Sequence, residues 1–473
     1  MNNRVYSFVK NLIIFVLGSF GAKFLTFILL PVYTSILTTS QYGQIDIITT
    51  TQSLLFPIVS LGLSEAIFRF VMKKDIENKC VISNGITIIS LTYFITVIVA
   101  MVFNIFLKWK YMLWMLLLLG CSMIYDILSS YLKAKNNSKK YVLIGILYTF
   151  ISLMSNIAFL VVLDWKIKGY LLSSVVACIS CAFFIIVSEK IYLQVRVKYC
   201  DLMLGRRMLK YSLPLIFTSL SWWIVTSSDK YMIRYFIDNS AVGIYSIASK
   251  IPLILQTLIS ILQTVWQIST NQIHDEEPEE LKDNFVLFTR FFREVGFVFG
   301  SLLIICTQLL MLILAKKEFY QGWVYAPFLI LSIIFSFATG MVSSLYGAYE
   351  QNSGVLYSVL LGGGINIALN SILIPKMGIM GATISTAISR LIIAIYRLKD
   401  TEKLLEFDRE YGKVAMNCIM LTIQCCLLIY LDRFVYVFQF AFYAIICFYN
   451  RELFSKVFLY AKSVLEERVN GKN

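Results

Sequence analysis

Between Lys79 and Lys108 the chain reads Cys80-Val-Ile-Ser-Asn-Gly-Ile-Thr-Ile-Ile-Ser-Leu-Thr-Tyr-Phe-Ile-Thr-Val-Ile-Val-Ala-Met-Val-Phe-Asn-Ile-Phe-Leu107, with no charged side chain. About 20 consecutive apolar residues cross the hydrocarbon core of a bilayer as a helix. A run of this length, with lysines at both ends, reads as a membrane span over 81–106. It is continuous rather than alternating, which excludes the strand of an outer-membrane barrel. Thirteen similar runs follow from the same reading, near 9–31, 42–66, 111–132, 141–162, 168–188, 211–235, 242–270, 295–315, 323–349, 354–375, 378–397, 413–431 and 434–450. The expected fold class is therefore an all-α polytopic membrane protein of about 14 transmembrane helices. Arg4 and Lys10 precede the first run as in a signal peptide, but no small-residue cleavage site follows, so it reads as an uncleaved first helix.

The whole composition agrees. Of 473 residues only 15% are charged and 58% are hydrophobic, whereas a soluble domain carries about 25% charged residues. No connection between runs is long enough for a soluble catalytic domain. His274 is the sole histidine, beside the acidic run Asp275, Glu276, Glu277, Glu279 and Glu280, so a histidine metal or acid–base site has almost no material. The single CxxC, Cys178 to Cys181, falls inside an apolar run and reads as packing. Neither a metal nor a cofactor is expected.

The net charge of +14 is placed by topology rather than by nucleic acid. Alternate connections, counted with the two ends of the chain, hold twenty-nine lysines and arginines on one side and nine on the other. Basic residues mark the cytoplasmic side, which puts both termini in the cytoplasm. The segment 271–294, an acidic run leading into Phe288, Arg290, Phe291, Phe292 and Arg293, reads as an interfacial helix on that side.

An internal repeat organises the spans. A shift of about 200 residues lays Ser40-Gln-Tyr-Gly43-Gln-Ile-Asp-Ile47 on Ser240-Ala-Val-Gly243-Ile-Tyr-Ser-Ile247, and one of about 212 lays Gly169-Tyr-Leu-Leu-Ser-Ser174 on Gly381-Ala-Thr-Ile-Ser-Thr386. Six helices separate the copies, an even number, so the repeats are parallel. The expected division is an N-lobe over 1–200, a C-lobe over 201–400, and two further helices with a cytoplasmic tail over 401–473. Such a duplication predicts a central cleft between the lobes.

Charges at bilayer depth cost roughly 2.5–3.5 kcal/mol each on insertion scales, so they normally face protein or water. They are Lys23, Asp46, Glu65, Asp126, Asp229, Lys230, Lys250 and Arg390. Glu65 and Arg69, four apart, read as a local ion pair. Polar stripes accompany the charges: Lys250, Thr257, Gln263, Thr264 and Gln267, with Gln256 and Ser260 adjoining; Ser332, Ser336, Thr339, Ser343, Tyr346 and Glu350; and Asn366 with Asn370. A stripe of this kind either lines a cavity or glues helices together. The candidate cavity residues are Lys23, Lys230, Lys250, Asp46, Asp126, Asp229, Gln256, Gln263, Ser336, Asn366, Asn370 and Arg390. Pro57, Pro252 and Pro327 are hinge candidates. Gly296 and Gly300 suit a close helix contact, and Gly362 reads as packing or a kink.

Four blocks carry a family resemblance: Gly18-Ser-Phe-Gly-Ala-Lys23 with Leu30-Pro-Val-Tyr-Thr34 and Gln41-Tyr-Gly43; Leu61-Gly-Leu-Ser-Glu-Ala-Ile-Phe-Arg69; Asp229-Lys-Tyr-Met-Ile233 with Val242-Gly-Ile-Tyr245; and Asn370-Ser-Ile-Leu-Ile-Pro-Lys-Met-Gly378-Ile-Met-Gly-Ala-Thr383. In order over roughly residues 5–400, they resemble the bacterial polysaccharide-biosynthesis flippases of O-antigen and capsule type. These belong to the multidrug/oligosaccharidyl-lipid/polysaccharide exporter superfamily. The resemblance implies alternating access in the bacterial inner membrane and a cargo of undecaprenyl-pyrophosphate-linked oligosaccharide. Its implied partners are membrane lipids, a polysaccharide polymerase and glycosyltransferases, and it implies a transporter rather than an enzyme. Family cavity cations match only Lys23, Lys230 and Lys250. Two other functions stay open on the residues alone: a multidrug cation exporter using Asp46, Asp126 and Asp229, and a membrane-embedded polysaccharide polymerase or glycosyltransferase.

Overall fold

A computed structural model describes residues 27–451 except 74, 136, 261–262, 264–277, 350–352, 406–409 and 432. Lys23, His274, Thr264, Gln267 and Glu350 therefore lie outside the described residues. All regular structure among the described residues is helical. Eight helices are long and apolar enough to cross a membrane, or up to 11 if each of three bent pairs is one span. The chain is a multi-pass helical membrane protein. The expected count of fourteen is not reached among the described residues, for three local reasons. The first expected span lies largely outside them, and its described end, Phe27–Ile36, is short. Val435–Tyr449 is also short. Leu202–Phe236 is long but carries serines, threonines and charges along its length.

The chain forms two compact units, Met1–Gly243 with Leu314–Lys317 and Ile244–Ile313 with Glu318–Asn473. The first holds α1 (Phe27–Ile36), α2 (Thr39–Val59), α3 (Leu63–Val71), α4 (Asn78–Leu107), α5 (Met112–Ala134), α6 (Ser138–Asn156), α7 (Lys166–Ser188), α8 (Leu202–Phe236) and the start of α9 (Asn239–Ala248). α2 begins with a capping box: the Thr38 hydroxyl accepts from Gln41 N–H, and the Gln41 side chain accepts from Thr38 N–H. Three residues after Pro57 it breaks at Ser60–Gly62 and bends 51° into α3. Gly62 sits there at φ +63°, and a Cβ on it would stand 3.1 Å from the Ser212 carbonyl oxygen, so only glycine suits the turn. The core of this unit joins Leu63 and Ile67 of α3 to Met123 and Tyr131 of α5, Ile185 of α7 and Met208 of α8.

The apolar run that opened the sequence reading became α4, and its outer stripe is bare. Phe94, Ile98, Val102 and Phe106, four residues apart, are all exposed, which in a helix of this hydropathy is a lipid-facing stripe. At the basic end of the unit, Glu189 closes α7 between Lys135 (3.1 Å) and Lys140 (2.7 Å). Burial alone would raise its carboxyl, but the hydrogen bonds from Lys140 and Lys135 outweigh it and hold the pKa below the ordinary value. Glu65 does not pair with Arg69 among the described residues. The Arg69 guanidinium instead lies over the Tyr211 ring, 4.3 Å from its centroid.

The second unit contains α10 (Pro252–Ser260), α11 (Pro278–Ile305), α12 (Thr307–Leu314), α13 (Ala326–Ala348), α14 (Ser353–Met377), α15 (Ile379–Asp400), α16 (Tyr411–Tyr430) and α17 (Val435–Tyr449). α9 and α10 meet at 48° with Pro252 as the first residue after the break, where its missing N–H costs nothing. Pro327 lies in the first turn of α13 for the same reason and marks no hinge. The sharpest bend, 60° between α11 and α12, has no proline and no sequence signal. Small residues bring helices close. A Cβ on Gly300 would lie 2.3 Å from Ile334 Cδ1, and one on Gly362 would lie 2.2 Å from Ile393 Cδ1. α14 continues unbroken through Gly362, so that residue packs rather than kinks. Gly378 joins α14 to α15 at φ 62°, ψ −140°, a conformation essentially reserved for glycine.

Residues 278–294 do not form a separate interfacial helix. They continue into 295–305 as α11, and three of their charges are spent on the helix that follows α15. Arg290 and Arg293 pair with Glu410, and Glu294 pairs with Lys413 at 2.6 Å. Deeper along the same helices Ser301 donates to Gln424, and Gln439 of α17 donates to the Gln424 carbonyl. These bonds staple α16 and α17 to α11.

Candidate functional site

Two of the embedded charges come together in the first unit. Lys230 Nζ of α8 stands 2.8 Å from Asp46 Oδ2 of α2 and 3.4 Å from the Thr50 hydroxyl. Both side chains are largely buried, at 20% and 11% exposure. Helix geometry explains the meeting. Asp46 and Thr50 are one turn apart on α2 and share a face, and α8 lies along that face. The same seam continues away from the pair: Tyr231 and Thr51 share a hydroxyl–hydroxyl bond of 2.5 Å, and Trp223 Nε1 donates to the Thr50 carbonyl and to Ser53 Oγ, both at 3.1 Å. Gln52 donates to Ser122 of α5 at 3.0 Å. The result is a polar seam within apolar helices, holding one cation and one carboxylate.

Beyond Asp46, at the start of α2, two stretches of backbone cross closely. A Cβ on Gly43 would fall 1.8 Å from the Asn239 carbonyl oxygen, and one on Gly243 would fall 2.1 Å from the Thr39 carbonyl oxygen. The contact is reciprocal: residue 43 meets 239, and 243 meets 39. Thr39 and Ser240 add a hydroxyl bond of 2.5 Å. Two stretches about 200 residues apart in the chain thus face one another crosswise. Backbones approach this closely only where both helices present glycine.

The remaining candidates distribute as follows. Asp229, next to Lys230, is buried on another side of α8. Asp126 accepts from Ser64 between α5 and α3, apart from the Asp46–Lys230 pair. In the second unit Lys250 sits half-buried at the α9–α10 break, Gln256 is half-buried on α10, and the Gln263 amide packs on Gly340. Asn370 donates to Asn366 at 3.0 Å within α14. Arg390 donates to Ser336 at 3.0 Å. That last bond is one rung of a ladder between α13 and α15. Arg397 donates to Ser343 at 2.6 Å, and the Tyr346 hydroxyl donates to Asp400 at 2.8 Å, every rung at the same sequence offset. The stripe of Ser336, Ser343 and Tyr346 on α13 therefore faces α15. Arg397 also donates to Ser358 of α14 at 2.7 Å and is 2% exposed.

Sequence reasoning missed Arg397, which stands at the very end of the expected span 378–397. Its signal was present: Arg390 and Arg397 are seven apart, as are Ser336 and Ser343, and seven residues return a helix to the same face. It also missed Trp223, which lies seven residues before Lys230 and therefore on its face. Among the described residues no cluster of histidine, cysteine or carboxylate could hold a metal.

Comparison with known proteins agrees with this architecture. The family model described as "Polysaccharide biosynthesis protein" matches residues 8–267, more than half of the chain. No curated protein matches the chain significantly. Among solved structures, the lipid II flippase MurJ in an inward closed conformation superposes with a TM-score of 0.71 at 17% identity, covering 94% of this chain and 100% of that one. An inward-facing multidrug resistance MATE family transporter of the MOP superfamily gives 0.65 at 14% identity, covering 85% and 96%. A MOP superfamily transporter from Pyrococcus furiosus gives 0.60 at 14% identity, covering 88% and 96%. At these identities the likeness is one of fold, and the fold is that of MOP transporters.

Proposed function

The chain belongs to the polysaccharide biosynthesis protein family, and from that premise we propose that it is a flippase carrying undecaprenyl-pyrophosphate-linked oligosaccharide from the cytoplasmic to the outer leaflet of the bacterial inner membrane, with both termini in the cytoplasm. The observation that carries this reading is Lys230, a largely buried lysine engaged by Asp46 and Thr50 inside the polar seam. A pyrophosphate buried without partners would cost many kcal/mol. An ammonium already desolvated and held by a single carboxylate can exchange that carboxylate for a phosphate oxygen with little net loss of charge pairing. The polyprenyl tail stays in lipid. Alternating access of the two repeat halves moves the head group, and an inside-negative potential favours outward movement of two charges by roughly 5 kcal/mol per 100 mV.

Lysine rather than arginine at this position suits a cargo that must be released, because it offers a point charge without a bidentate grip. The multidrug reading would need Asp46 to receive a cationic drug, and Lys230 occupies it. Glycosyltransferases would supply the cargo and a polymerase would consume it. Lys23 and Lys250 are proposed as further phosphate contacts. Replacing both by alanine should abolish surface polymer in a complementation strain while leaving the protein in the membrane at wild-type level. Wild-type polymer from that double variant would remove these two lysines from the cargo path.

A further inference from the structure

Within the first unit a cavity of about 470 Å³ opens at the end where α2, α5, α7 and α9 begin and α4 and α8 finish. This is the end poor in lysine and arginine, hence the outer end on the topology proposed above. Its volume falls in the range of roughly 300–1,000 Å³ typical of small-ligand sites. Three kinds of side chain line it: the cations Lys110 and Arg234, the amides of Gln41, Gln44 and Asn239, and the rings of Trp109 and Tyr111. No acidic side chain lines it among the described residues.

We infer that this cavity is a subsite for an acidic sugar residue. Each part of the lining answers one part of such a ligand. Amides both donate to and accept from hydroxyls, so Gln41, Gln44 and Asn239 suit the hydroxyl groups of a sugar. Trp109 and Tyr111 present flat apolar faces with polar edges, suited to the C–H face of a pyranose ring. Lys110 and Arg234 supply the charge-assisted bonds that a carboxylate needs.

The walls are held in place. Trp109 N–H donates to Asn104 Oδ1 at 2.8 Å, fixing the α4–α5 turn. Lys110 Nζ lies 5.8 Å from the Tyr111 ring centroid. The Gln41 oxygen is committed to the α2 cap, which leaves its NH₂ group to donate. The inference deepens the flippase reading, since a saccharide arriving at this end is cargo on its way out, and it would make the protein selective for repeat units that carry a uronic acid.

The test uses full-length protein in phosphatidylcholine nanodiscs, titrated separately with digalacturonate, maltose and inorganic phosphate. Digalacturonate should bind saturably, Lys110→Ala/Arg234→Ala should weaken it by about tenfold or more, and maltose and phosphate should bind far more weakly. Equal digalacturonate affinity in wild type and variant, or its failure to bind wild type, overturns the subsite. Phosphate binding as tightly as digalacturonate overturns the sugar assignment in favour of a phosphate or lipid head-group site. The flippase reading fails separately: normal digalacturonate binding by a protein that moves no lipid-linked cargo would leave the subsite standing and remove the transport function.

Discussion

Lys230→Ala should lose transport and, unlike most single changes on this chain, lose stability as well. The substitution takes away the ammonium that stands 2.8 Å from the largely buried Asp46 carboxylate. Removing one member of a buried pair costs about 3–5 kcal/mol, most of it the penalty on the charge left behind. The double variant Asp46→Ala/Lys230→Ala removes that penalty and should regain much of the stability. It should not regain transport, because the seam has lost the lysine proposed to hold the phosphate. Lys230→Arg should keep both properties in part. The two readouts are the midpoint of thermal unfolding in detergent and the amount of surface polymer in a complementation strain. A double variant that is stable and still exports at the wild-type rate would make the pair structural and nothing more.

Gly43→Val should be as damaging, for a reason that involves no charge. The first added carbon would lie 1.8 Å from a backbone carbonyl oxygen rather than from a movable side-chain tip. Relief requires α2 and α9 to part, breaking the Thr39–Ser240 bond and pulling on the seam that starts three residues later at Asp46. Overpacking a well-filled contact costs about 1–3 kcal/mol, occasionally more, and backbone against backbone belongs at the upper end. By the symmetry of the crossing, Gly243→Val should match it, whereas valine at Gly145, whose Cβ position is open, should be harmless. Surface polymer should fall to background for both crossing variants. Wild-type export from either would show that the helices do not meet this closely in the membrane.

The sequence carried the architecture almost completely, because a bilayer demands long uncharged runs and leaves them easy to see. Among the described residues, each expected span from 42–66 onward falls on a helix or a bent pair, 242–270 as far as Ser260. The likeness of the stretches around Gly43 and Gly243 was visible in the letters, although nothing in them said that these two glycines touch. Pairings were harder. Asp46 and Lys230 stood out as costly charges, but they are far apart in the chain, and only the packing of α8 along α2 makes them partners. The α13 stripe of Ser336, Ser343 and Tyr346 reads equally as cavity lining or as helix contact until its rungs on Arg390, Arg397 and Asp400 are seen. The Glu65–Arg69 spacing suggested a pair, yet Tyr211 offered the guanidinium a face from another helix. The 60° bend after Ile305 had no marker at all, since a helix can break by packing alone.

Movement of a lipid-linked anionic saccharide across the bilayer is the central proposal for this protein. Purified protein in liposomes loaded with undecaprenyl-pyrophosphate-linked oligosaccharide tests it directly, by following how much oligosaccharide an external glycosidase can cleave. The accessible fraction should climb toward completion with wild-type protein and stay at the outer-leaflet share with Lys230→Ala. An accessible fraction that wild-type protein leaves unchanged from empty liposomes would contradict the account.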